Sequence, residues 1–218
     1  MMGFHARRSL GPKIIDFTSG APIPELPLPR IPRVITINDM WRAAHWADVH
    51  YFCDKDWYDR SYAANRTAYD DPVNFRQSIK RDFWVQGARA QRDFVDRPEI
   101  HKLQMTLQLG FEPSPDKIRH GSNSGYQTIH MAAHFRAKRI LLLGFDMHVH
   151  GDRTHCHDDH VPVRASKFGH TLANTFLPCF PTLVKPLAQK GVEVINCTPG
   201  SALKCWPFKP LEEALSLR

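Results

Sequence analysis

At 218 residues the chain is long enough for one domain that buries roughly 70% of the surface its unfolded form exposes. A hydrophobic content of 42% excludes wholesale disorder, and no unbroken apolar run exceeds Ile140–Leu143, which excludes a membrane span. The net charge of +7 favours an anionic partner such as a nucleotide or phosphate; its scatter over single residues and pairs makes nucleic acid unexpected without excluding it.

The chain reads as a single domain over 1–218, with residues 1–12 a flexible, basic lead-in that lacks the apolar core of a secretory signal. The run KIIDF at Lys13–Phe17 is the first candidate strand. Residues 18–32 carry Pro22, Pro24, Pro27, Pro29 and Pro32. Proline removes donors and fixes φ, so this stretch is expected to be an extended surface loop. Strands follow at Val34–Ile37 and Ala47–Cys53. A segment rich in Arg, Gln and Ala predicts a helix over Phe75–Val95. Ile129, Ala132, Ala133 and Arg136 fall at helical spacing and predict a helix from Ser124 to Arg136, capped by Asn123 or Ser124. Arg139–Leu143 and Val192–Cys197 are further strands, and Leu211–Leu217 is a short helix with Pro210 near its start. Apolar runs without clean alternation suit strands covered on both faces. Their alternation with helices predicts an α/β fold with a mainly parallel sheet. Five cysteines without a C-x-x-C pair argue against a disulfide framework and for a reducing, cytoplasmic setting.

Polar residues follow each strand at once: Thr18-Ser19-Gly20, Asn38-Asp39, Asp54, Gly144-Phe145-Asp146, and Asn196 with Thr198. Open α/β sheets bind ligands beyond the carboxyl ends of their strands. Asx and Gly residues also make ordinary turns, but five such sites together point to a ligand crevice. The segment His120–Tyr126 opens the helix at Ser124 and offers unpaired N–H groups to a phosphate; its rival reading is a plain capped helix start.

Residues 148–160, HVHGDRTHCHDDH, hold five histidines, one cysteine and three aspartates. His155, His157 and His160, with Asp158 or Asp159, are candidate transition-metal ligands. Equally, one of these histidines is a candidate general base, and a solvated polar loop is the third reading. Trp41, Trp46, Tyr51, Trp57 and Tyr58 form an aromatic-rich span. Core packing is the commoner use of such residues, with Trp57 the best candidate for a crevice wall.

The stretch NSGYQTIHMAAHFRAKRILLLGFD, from Asn123 to Asp146, resembles the N-[ST]-G…G-x-D signature of a clan of Rossmann-like transferases. That clan joins the sialyltransferases of glycosyltransferase family 42 to the DUF115 proteins, among them 6-hydroxymethylpterin diphosphokinases. VITINDMWRAAHWADVHYFCDKDWY and VINCTPGSAL are similar to further parts of its pattern. The phage-type members pair it with a loop similar to Thr154–His160. The resemblance implies a Rossmann-like three-layer fold and a nucleotide-dependent transferase with a nucleotide or nucleotide-sugar donor. It implies donor contacts from Ser19, Gly20, Asn38, Asp54, Asn123, Ser124, Gly125 and Asp146, and a catalytic base among His155, His157 and His160. The first-strand turn departs from the clan's glycine-rich pattern, with Thr18 in place of its first glycine and Ala21 where proline is usual. Glycosyl transfer is the leading expectation. Diphosphoryl transfer dependent on Mg²⁺ is the second, and a non-catalytic binding protein on a degenerate transferase fold is the third. A divalent metal, Mg or Zn, and a homo-oligomer are both compatible with the pattern. The acceptor is not legible.

Overall fold

The computed structural model describes residues 32–59 apart from 42 and 45, 83–107 apart from 99, 109–154 and 164–216. The strand expected at Lys13–Phe17 and the proline-dense loop up to Ile31 lie outside the described residues.

Five strands form one parallel sheet: β1 (Ile35–Ile37), β2 (Val49–Phe52), β3 (Phe83–Ala88), β4 (Ile100–Thr106) and β5 (Lys117–Arg119). Their order in space is their order in the chain. Ile37 pairs with Tyr51, Tyr51 with Val85, Val85 with His101, and Met105 with Ile118. A second parallel pair, β6 (Arg139–Leu142) and β7 (Glu193–Asn196), sets Leu141 opposite Ile195. Among the described residues the α-helices are α1 (Lys55–Tyr58), α2 (Ser124–His134), α3 (Ala165–Thr171), α4 (Pro181–Gln189) and α5 (Leu211–Ser216). Among the described residues no helix is long and apolar enough to cross a membrane.

Strand β2 explains the layering. All four of its residues are buried, and successive side chains point to opposite faces. Val49 and Tyr51 pack with Val85, Met105, Ile118 and Met131 of α2. Phe52 packs on the other face with Trp57 and Tyr58 of α1, Val95 and Ile100. The sheet therefore lies between α2 and α1, which is the Rossmann-like α/β arrangement. The β6–β7 pair repeats the pattern. Leu142 and Val194 face Tyr126, Ile129, Phe180, Leu183 and Leu187, whereas Ile195 and Leu141 face Ala214 and Leu211 of α5. Helix α2 thus serves both sheets, Met131 toward one and Ile129 toward the other.

The helix expected over Phe75–Val95 is corrected wherever that segment is described. Residues 83–88 are the central strand β3, and Gln91–Asp93 is a single 3₁₀ turn. The helix-favouring Gln86 is fully buried in the sheet. Its amide donates to Asp93 O at 2.9 Å and accepts from the Val95 N–H at 2.7 Å. Burial with satisfied polar atoms overrode a weak propensity. Trp57 is core rather than crevice wall: it is buried against Phe52 and donates from Nε1 to Asp39 at 3.1 Å. Helix α2 stops at His134 because Arg136 turns left-handed (φ +64°) and Ala137 N–H reaches back to Ala132 O.

A buried polar chain fixes α2 on the sheet. Tyr51 donates to Gln127 Oε1 at 2.7 Å, and Gln127 Nε2 donates to His120 O at 2.7 Å. Tyr51→Phe strands the Gln127 carbonyl in the core. Urea denaturation is expected to show a loss of about 1–3 kcal/mol with the fold retained.

Candidate functional site

The carboxyl ends of β2 and β5 meet the first turn of α2, and β1 ends beside β2. Asn123 is its N-cap: the Oδ1 accepts from Tyr126 N–H at 2.8 Å, and the Nδ2 donates to Gly121 O at 2.8 Å. That capping leaves the Ser124 and Gly125 N–H groups without a partner among the described residues. These two donors lie at the positive end of an 11-residue helix, where anions are favoured.

Four side chains surround this helix end. Cys53, just past β2, lies 3.2 Å from Ser124 Oγ. Burial, and then the neighbouring Asp54, push its thiol up to about 12, so it is a neutral packing group and not a thiolate nucleophile. Asp54 occupies the N-cap position of α1 without making a capping bond, and it is exposed. His120, just past β5, has two ring contacts. Its Nδ1 faces the Ser122 N–H at 3.0 Å, and its Nε2 faces the Arg89 guanidinium. Both neighbours are donors: the neutral ring accepts from one of them at its single unprotonated nitrogen, and a protonated ring would accept from neither. Burial, then the Arg89 charge, lower the His120 pKa, partly offset by Asp54. The ring is neutral at pH 7, beside an exposed cation at the end of β3.

The other expected donor contacts take varied places. Asn38 ends β1 in the left-handed region (φ +48°), a conformation asparagine tolerates better than most residues. Its Oδ1 is shielded from solvent without a hydrogen-bond partner among the described residues. Gly125 packs directly on Phe145, with no room for a Cβ. Asn123 and Gly125 therefore shape the helix end, while Ser124 supplies both a hydroxyl and a free N–H. Ser19, Gly20, His155, His157 and His160 lie outside the described residues.

Asp146 follows β6 and is anchored through its neighbours. Phe145 N–H donates to Thr198 Oγ1 at 2.9 Å, Ser201 Oγ donates to Phe145 O at 2.5 Å, and Ala202 N–H donates to Asp146 O at 2.8 Å. The Asp146 carboxylate meets His148 and His150, with ligand atoms of all three within 4.8 Å of one another.

Asp54 and Asp146 are legible in sequence as polar residues after apolar runs, and Ser124 as the start of a capped helix. Arg89 is not, because β3 reads as helix; His120 falls in the segment read as a helix opening, but its side-chain role is hidden because β5 has only three residues. The His148–His150 pair lies at the start of the histidine-rich segment, but D-x-H-x-H at Asp146–His150 is a spacing that could have singled it out.

No family model matches the chain, and no curated protein or solved structure matches it.

Proposed function

We propose that this protein is a nucleotide-dependent transferase, most plainly a glycosyltransferase, that seats the donor's phosphates at the N-terminus of α2. One observation carries the reading. Two unpaired N–H groups, from Ser124 and Gly125, open a helix at the carboxyl ends of parallel strands. An exposed guanidinium, Arg89, lies beside them through His120. Fixed N–H dipoles and an arginine together suit a diphosphate whose negative charge grows as the leaving group departs. Asn38, at the end of β1 and next to β2, would meet the nucleoside. Asp54, exposed just past β2 on the same side as His120, is the carboxylate an acceptor hydroxyl would meet. The resemblance to the transferase clan supports the same placement through Asn38, Ser124 and Asp146. By that resemblance the acceptor's proton goes to one of His155, His157 and His160.

The test is a thermal-shift and calorimetry panel of CMP, CDP, UDP, GDP and ATP, each with and without Mg²⁺ or Zn²⁺. Saturation at a hundred times Kd stabilises by about 2.7 kcal/mol. Stabilisation by one pyrimidine nucleotide without metal supports glycosyl transfer. Stabilisation by ATP only with Mg²⁺ replaces it with diphosphoryl transfer, and no response to any nucleotide removes the enzyme reading. Arg89→Ala is expected to weaken the bound nucleotide roughly 10- to 100-fold, the worth of one charge-assisted hydrogen bond. Arg89 is exposed, so its removal leaves the fold intact.

A further inference from the structure

We infer that Asp146, His148 and His150 form a binding site for one divalent transition-metal ion of the zinc, cobalt or iron(II) class. The inference does not depend on the nucleotide reading: Asp146 is common to both, but the ligand here is a metal ion, and His148 and His150 take no part in the donor site.

The geometry is close to what such an ion requires. Metal–ligand bonds of about 2.0–2.2 Å set neighbouring ligand atoms roughly 3.5 Å apart in a tetrahedral site. His150 Nε2 already lies 3.4 Å from Asp146 Oδ1. The ligand atom of His148 lies within 4.8 Å of both. The rings of His148 and His150 are 4.4 Å apart and tilted by 56°, so they are not held by stacking.

The surroundings orient the ligands. His148 Nδ1 lies 3.2 Å from Val149 O. Donation there fixes the tautomer with the proton on Nδ1 and leaves the Nε2 lone pair for a metal, the usual role of a carbonyl behind a ligating histidine. His150 is held by the reciprocal backbone pair with Arg153, at 3.3 and 3.1 Å. Asp146 is held by the 198–202 turn described above. Val149, between the two histidines, lies against Gly169 of α3. Each ligand is therefore mounted on a braced backbone.

Two imidazoles and one carboxylate select a borderline transition ion over Mg²⁺, which prefers oxygen donors and keeps its waters. Three protein ligands leave at least one position open, and His150 is 65% exposed at its side chain. An open position on the solvent side is the pattern of a site that binds water or substrate and not of a closed structural site. The rival is a bare surface His–Asp contact, which contributes little to anything.

The test uses the full chain without a polyhistidine tag, stripped with chelator and titrated with Co²⁺ at pH 7.5. Visible d–d absorption follows binding, and Zn²⁺ then displaces the cobalt. The expected result is saturation at one equivalent, no competition from millimolar Mg²⁺, and at least a tenfold weakening in His148→Ala and in His150→Ala. A variant with His155→Ala, His157→Ala and His160→Ala together is expected to keep the spectrum. Absence of saturable binding in the wild type overturns the site. So does unchanged affinity in the His148 and His150 variants, or loss of binding in the triple variant.

Discussion

Gly121→Ala is expected to destabilise the protein by about 2–5 kcal/mol, the combined scale of overpacking and a left-handed side chain. Gly121 has φ +53°, and a Cβ there would overlap the ring of Tyr126. That ring cannot yield. It is fully buried, and its hydroxyl accepts from Gly110 N–H at 2.7 Å and lies 2.9 Å from Thr182 Oγ1. Gly121 O also holds the capping Asn123 amide, so the same change disturbs the α2 N-terminus. Gly144→Ala is the control. Gly144 has φ +72° but nothing within 4 Å of a new Cβ, so only the backbone cost of about 1–2 kcal/mol applies. Chemical denaturation of both variants separates overlap from strain. Equal losses would show that Tyr126 moves aside.

Stability is expected to fall steeply as pH drops from 6.5 toward 4, with His130 as the main cause. This histidine is fully buried on α2, stacked on Phe111 at 4.3 Å. Its Nε2 lies 3.1 Å from Glu112 O, to which it can donate, and 2.9 Å from Glu112 N, while its Nδ1 faces the Arg119 N–H at 3.4 Å. Burial, and with it the charges of His134, Arg119 and Lys190, lower its pKa to about 4; the Glu112 backbone opposes them in part. The folded form therefore holds His130 neutral while the unfolded chain binds a proton near pH 6.5. The unfolded state binds more protons throughout that window, so stability rises with pH across it and is lost as pH falls. A shift of this size is worth about 3 kcal/mol. His134, His120 and His101 are shifted in the same direction by burial and add to the slope. Urea denaturation at a series of pH values, for wild type and His130→Asn, checks the assignment. The variant is less stable at pH 7 but flatter toward acid. An unchanged slope would mean that His130 is not the buried neutral group.

The sequence was most legible where strands are short apolar runs buried on both faces. Val34–Ile37, Ala47–Cys53, Arg139–Leu143 and Val192–Cys197 each contain a strand, trimmed by one or more residues. Helix α2 was legible from its periodicity and its Asn123 cap, and α5 from Pro210 and the Glu-rich first turn. Strand β3 was hidden because Gln86 and Arg89 look helical, and only tertiary burial gives Gln86 its partners. Strand β4 was hidden because Lys102 and Gln104 interrupt its apolar residues. Helix α4 was obscured by Pro181 and Pro186; Pro181 is tolerated at the first turn, and Leu183 and Leu187 bury the inner face.

The candidate site divides along the same line. Asn38, Asp54 and Asp146 follow strands, and Ser124 opens a helix, that local pattern reveals. Arg89 and His120 reach the site only through strands that it does not reveal. The four described cysteines, Cys53, Cys179, Cys197 and Cys205, are free thiols, as spacing without a C-x-x-C pair implies.

The central claim is that a nucleotide binds where α2 begins. Titrating ¹⁵N-labelled protein with CMP, CDP, UDP, GDP and ATP reads this directly from the backbone. The account predicts that the nucleotide that binds shifts the Ser124 and Gly125 amides most, with His120 and Asn38 next, and that Arg89→Ala weakens those shifts. Shifts confined to residues away from these strand ends, or no shifts with any of the five, would contradict it.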